Sequence, residues 1–74
     1  MTYKQAKIVI AYAQNDMDAR ATGYSVNLTD GSIAYHLRNV ASETGKDPKK
    51  FFDLCWLVGM AAQVVAMQEA MKAK

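Results

Sequence analysis

The sequence predicts a mainly α protein: an N-terminal helix, a short strand, and two further helices of which the C-terminal one is long, working as a dimer. Three observations predict it. Apolar residues recur at helical spacing near both ends, a five-residue segment between them alternates strictly, and an Asp-Pro junction precedes an apolar run that one small copy can hardly bury.

The chain has 74 residues, room for one domain over residues 1–74. Its 51% hydrophobic and 22% charged residues give a globular rather than a disordered composition. A core of this size supplies only about 3–5 kcal/mol unless something staples it. Cys55 is the sole cysteine, so no internal disulfide forms, and no Cys/His set has zinc-ligand spacing. No metal or cofactor is expected, which leaves oligomerisation as the extra source of stability. The net charge of +2 permits nucleic-acid binding without requiring it.

Thr2-Tyr3-Lys4-Gln5 has the form of a capping box, and Ala6, Ile10, Ala13 and Met17 follow as one helical stripe. Ile8-Val9-Ile10 competes as a β-branched strand, but alternation is absent there and helix is preferred. This helix ends between Asn15 and Gly23. From Tyr24 to Leu28 the pattern alternates, with Tyr24, Val26 and Leu28 on one face and Ser25 and Asn27 on the other, which predicts a half-buried strand.

Two continuations are open. In one, Asp30-Gly31 is a hairpin turn that pairs Leu28 with Ile33 and Val26 with Tyr35. In the other, a helix begins near Asp30 or Ser32 and carries Ile33, Leu37, Val40, Ala41 and Thr44 on one face, with Gly45 as its stop. The helix accounts for every residue to Gly45 and is preferred. Asp47-Pro48 then gives an N-cap followed by proline at the first helical position, for a last helix from Pro48 to about Met71. About 24 residues at ~1.5 Å each make ~36 Å, longer than the roughly 29 Å span of a 74-residue globule. The run Leu54–Gln68 is uncharged but falls short of the ~20 residues of a membrane span, so no membrane association is expected. Lys4 and Lys7 precede an apolar stretch too short for a secretory signal, and a cytoplasmic location is expected.

Few residues have the makings of chemistry. Cys55 and His36 are the one thiol and the one imidazole, and nothing around them resembles a catalytic pair with its orienting group. Asp16 and Asp18 read as a solvated turn. No phosphate loop or nucleophile elbow is present, so an enzyme is not expected. Cys55, placed in the apolar body of the last helix, should be buried and slow to react. Gly59 sits mid-helix at a cost of about 1 kcal/mol against Ala; with Cys55 it forms a notch, and Ala62, Ala66 and Ala70 form a stripe of small residues suited to close packing of another helix, either the first helix or that of a second copy or partner, with the helix propensity of Ala as the plain alternative. Met60, Met67 and Met71 read as core filling beside Val64. Lys46, Lys49 and Lys50 crowd the start of the last helix, where its dipole disfavours cations. A phosphate there would relieve the conflict, and three solvated side chains balanced by Asp47 are the plain alternative.

The strand YSVNL, the helix IAYHLRNVA, the junction SETGKDP and the segment KKFFDLCW together resemble the ribbon-helix-helix family, to which the Arc and Met repressors belong. The resemblance spans residues 24–60. It implies a dimeric DNA-binding regulator in which paired strands enter the major groove, with Ser25, Asn27 and Thr29 facing the bases and Lys46, Lys49 and Lys50 on the phosphates. One extra residue between strand and helix, Pro48 at the phosphate position, and a helix ahead of the strand depart from the family pattern. A small adaptor or inhibitor that binds a larger protein, without DNA, is the alternative function.

Overall fold

The computed structural model describes residues 1–72 and holds four helices, α1 (Tyr3–Gln14), α2 (Ala19–Val26), α3 (Asp30–Thr44) and α4 (Phe51–Lys72). The mainly α class is as expected. No strand occurs among the described residues, so the strand at 24–28 and the ribbon-helix-helix architecture built on it are corrected.

The capping box at Thr2 is formed in both directions. The Thr2 hydroxyl accepts from the Gln5 backbone N–H at 3.1 Å, and the Gln5 amide oxygen accepts from the Thr2 N–H at 2.8 Å. α1 ends at Gln14, and Asp16 and Met17 then turn the chain through left-handed φ angles of 55° and 62°. Asp18 is not merely solvated: its Oδ1 accepts from the N–H groups of Arg20 and Ala21 at 2.9 and 3.1 Å and starts α2.

α2 explains why the alternation misled. Ala19, Thr22, Gly23 and Val26 lie at i, i+3, i+4 and i+7 and turn inward, Thr22 and Gly23 fully and Ala19 and Val26 partly. Two of the four are not apolar, so the stripe is invisible to a hydrophobicity reading. Tyr24, expected on a buried strand face, is 83% exposed.

Asp30 and Gly31 form the first turn of α3 rather than a hairpin, and Thr29 is its N-cap, accepting from the Ser32 N–H at 3.1 Å. Ile33, Leu37 and Val40 are buried, and Gly45 ends the helix at φ 73°, a left-handed angle that favours glycine. α4 begins three residues later than expected. Asp47 caps a turn instead, its Oδ1 accepting from the Lys49 N–H and its carbonyl from the Lys50 N–H, with Pro48 buried beneath.

α1 packs against all three other helices, most extensively along α4, while α2 packs on α3 and neither α2 nor α3 packs on α4. Covered from two directions, α1 buries Ala6, Ile8, Val9 and Tyr12. It runs antiparallel to α4, with the Lys72 ammonium 4.9 Å from the Tyr3 ring centre at one end and Ala13 lining a common hollow with Leu54 and Val58 at the other. The molecule measures 34 × 26 × 18 Å; α4, at ~1.5 Å per residue, spans its whole length.

Burial raises the Tyr12 hydroxyl above its ordinary value of 10.0, with Asp47 and Asp18 adding to the shift. The folded state therefore holds this proton more tightly than the unfolded chain does. Tyr12 costs nothing below about pH 10 and draws stability down as the pH rises beyond it. Thermal melts between pH 8 and 11 are expected to fall less steeply for Tyr12→Phe than for the wild type.

Candidate nucleic-acid interface

A helix, a three-residue turn and a second helix follow one another without a break: α2, then Asn27, Leu28 and Thr29, then α3. The turn is fixed from several sides. Asn27 adopts a left-handed φ of 61°, which Asn tolerates better than most residues, and its N–H returns to the Gly23 carbonyl. The Leu28 N–H donates to that same carbonyl at 2.8 Å. Gly23 is required here, because a Cβ at this position would stand 2.4 Å from the Leu28 carbonyl oxygen. Helix, short turn and helix are locked into one supersecondary unit.

The inward stripe of α3, Ile33, Leu37 and Val40, leaves a complementary outward stripe. Gly31, Tyr35, Arg38 and Ser42 recur at i, i+4, i+7 and i+11, and all are exposed, Tyr35 at 59%. Arg38 borders a depression shared with Ala34, Lys46, Asp47 and Lys49, so three cations and one carboxylate gather beside this face. On its other flank Arg20 and Tyr24 of α2 meet Thr29 and Asp30 at the start of α3. Asp30 is the acidic residue on this second flank, and its Oδ1 is engaged by the Gly31 N–H at 2.9 Å.

The residues expected to face the bases do not form one face. Ser25 is exposed on α2, Asn27 is the left-handed cap of that helix, and the Thr29 hydroxyl is spent on capping α3. The expected phosphate residues lie ahead of α4. Lys49 and Lys50 are exposed in the turn ahead of α4, and the Lys46 ammonium lies 5.3 Å from the Trp56 ring centre. Because α4 begins at Phe51, the three lysines precede the helix rather than crowd its first turn, and the conflict with its dipole is weaker than the sequence implied.

Cys55, Gly59, Ala62, Ala66 and Ala70 do share one face of α4, turned outward. Cys55 is exposed, contrary to its expected burial, and among the described residues nothing outside the helix's own backbone comes within 4 Å of a Cβ built at Gly59. His36 stacks edge-on against Tyr35 at 5.5 Å, on a helix that does not pack on α4, so the thiol and the imidazole form no pair. No group of three potential metal ligands occurs among the described residues.

Sequence reasoning overlooked Arg20, Tyr35 and Arg38. Arg38 and Tyr35 were legible as the face opposite Ile33, Leu37 and Val40. Arg20 became visible only with α2. No protein-family model, curated protein or solved structure matches this chain.

Proposed function

We propose that the chain is a small DNA-binding regulator that reads the duplex through α3 of a helix-turn-helix unit. The observation that carries this is the locked α2–turn–α3 unit with a polar, outward α3 face flanked by cations. In such a unit the second helix enters the major groove with its N-terminal residues on base edges, and the first crosses the phosphate backbone. Tyr35 and Arg38 then face the bases. Arg38 is chemically suited to bidentate contact with guanine, and Asp30 to accept from the amino group of cytosine. Arg20, Lys46 and Lys49 lie where phosphates pass on either side.

Selection from random duplexes at about 0.1 M salt, followed by binding of the winner as salt is varied, tests the proposal. Replacing Lys46 or Lys49 by Ala is expected to weaken binding to all sequences alike and to lower the salt slope by about one. An absence of any enriched duplex sinks it.

A second function, an adaptor for another protein, is favoured by one observation. Phe52, Trp56 and Met67 of α4 are 85%, 55% and 68% exposed, and soluble monomers rarely leave apolar patches larger than a few hundred Å² uncovered.

A further inference from the structure

We propose that the outward face of α4 is covered by α4 of a second copy, packed antiparallel about a two-fold axis that passes between Gly59 and Gln63 on the exposed side, at the level of residue 61 along the helix. α4 does not pack on α2 or α3, and this surface meets the DNA-binding one at a single point, where the Lys46 ammonium lies 5.3 Å from the Trp56 ring centre.

The face is apolar and uncharged along its centre. Phe52, Trp56, Gly59, Gln63, Ala66 and Ala70 follow one another at spacings of three and four residues, and Asp53 and Glu69 stand at its margins. Its area is that of an interface. At about 150–250 Å² per large side chain, the exposed parts of Phe52, Trp56, Met67 and Met71 offer on the order of 600 Å², and with the exposed Gln63 and alanines they approach the ~800 Å² per partner of a standard interface.

Size distribution selects the direction. The N-terminal half of the face has the bulky Phe52 and Trp56, whereas the C-terminal half has Ala62, Ala66 and Ala70. A parallel pair sets Phe52 and Trp56 against their own copies and the alanines against alanines, so the helices splay at one end and leave a gap at the other. An antiparallel pair centred at the level of residue 61 sets Phe52 over Ala70, Cys55 over Ala66, and Trp56 beside Gln63 and Met67, while Gly59 lets the backbones approach. The bulky Phe52 meets the small Ala70 at each end, and the small pair Cys55 and Ala66 lets the helices approach between them. The two helix dipoles also oppose one another.

A lipid surface is the competing occupant, because α4 is long and apolar enough to cross a bilayer by length and composition, with a mean hydropathy of 1.4 in its most apolar window. Two features favour the second copy. α1 covers one side of α4 along its length, burying Leu54, Leu57 and Ala61. The remaining face has Gln63 at its middle and alanines beyond it, which gain little from insertion into hydrocarbon.

Sedimentation equilibrium of the full chain at tens of micromolar is expected to give twice the 8.2 kDa chain mass. Trp56→Glu is expected to give the chain mass with unchanged helical circular dichroism. Mild oxidation of Ala66→Cys is expected to yield a covalent dimer through Cys55. The wild type is expected to yield none, because its two Cys55 residues lie about 18 Å apart along the helices, well beyond the ~7 Å limit on Cα separation for a disulfide. A wild-type monomer overturns the proposal, as does a wild-type dimer cross-linked by Cys55 alone. Flotation of a monomer with phosphatidylcholine–phosphatidylglycerol vesicles overturns it in favour of the membrane. A dimer that binds no duplex leaves this proposal standing and removes the DNA-binding one; a monomer that binds duplex does the reverse.

Discussion

Gly23→Ala is expected to destabilise the domain by about 1–3 kcal/mol, although the same change in an ordinary helix interior is favourable by about 1 kcal/mol. The sign is reversed by a single close approach. The new Cβ would fall 2.4 Å from the Leu28 carbonyl oxygen, which is backbone in a turn that already accommodates the left-handed Asn27. Neither a rotamer change nor a side-chain retreat relieves such a clash, so α3 must move away from α2 and loosen Ile33 and Leu37 from the core. For a domain of 60–100 residues each kcal/mol lowers Tm by roughly 4–8 °C, a large fraction of what a core of this size supplies. Gly31→Ala is the control. Its nearest neighbour beyond the adjoining chain is the Thr29 hydroxyl at 3.9 Å, an ordinary van der Waals distance, and its Tm is expected to stay level or rise slightly. Equal melting of the two variants would mean that the turn yields more easily than its geometry implies.

The places where the sequence could be read are those where one residue type has one physical use. Thr2 and Gln5 cap α1, Gly45 ends α3 because a left-handed residue is needed there, and Ile33, Leu37 and Val40 mark a core face by spacing alone. Reading failed at α2, where the inward positions include Thr22 and Gly23, chosen for closeness rather than hydrophobicity. With that stripe hidden, the accidental alternation of Tyr24, Val26 and Leu28 is the stronger pattern, and it groups Ser25, Asn27 and Thr29 on a strand face that does not form. The all-round apolarity of α4 correctly marked a helix with more apolar surface than one copy buries. It was silent on which side lay open, so Cys55 was placed inside when α1 in fact covers the opposite face. Lys46 and Lys49 share a depression with Arg38 of α3, a neighbour that spacing along the chain could not reveal.

Arg38→Ala is expected to cost about 1–3 kcal/mol on the preferred duplex, roughly a 5- to 150-fold loss of affinity, with little change on unrelated sequences. The magnitude follows from the chemistry of the fork. A guanidinium on the outward stripe of α3, two turns in from the Thr29 cap, can present paired donors to the acceptors on the major-groove edge of guanine. Arg38 also borders the depression that Lys46 and Lys49 share, so pairing with a phosphate is the rival role, and the two roles leave different signatures. If Arg38 reads a base, its removal should leave the salt slope nearly unchanged and relax selectivity at one position. If it pairs with a phosphate, its removal should lower the slope by about one and weaken all duplexes equally. Tyr35→Ala, one turn closer to the start of α3, is expected to act on an adjacent position of the same half-site, whereas Ser25→Ala on α2 should leave sequence preference intact. A preference that survives both α3 substitutions would remove α3 from the major groove. If the chain pairs through α4 about a two-fold axis, the selected duplex should be an inverted repeat, because a symmetric dimer presents its two α3 helices to half-sites related by the same axis.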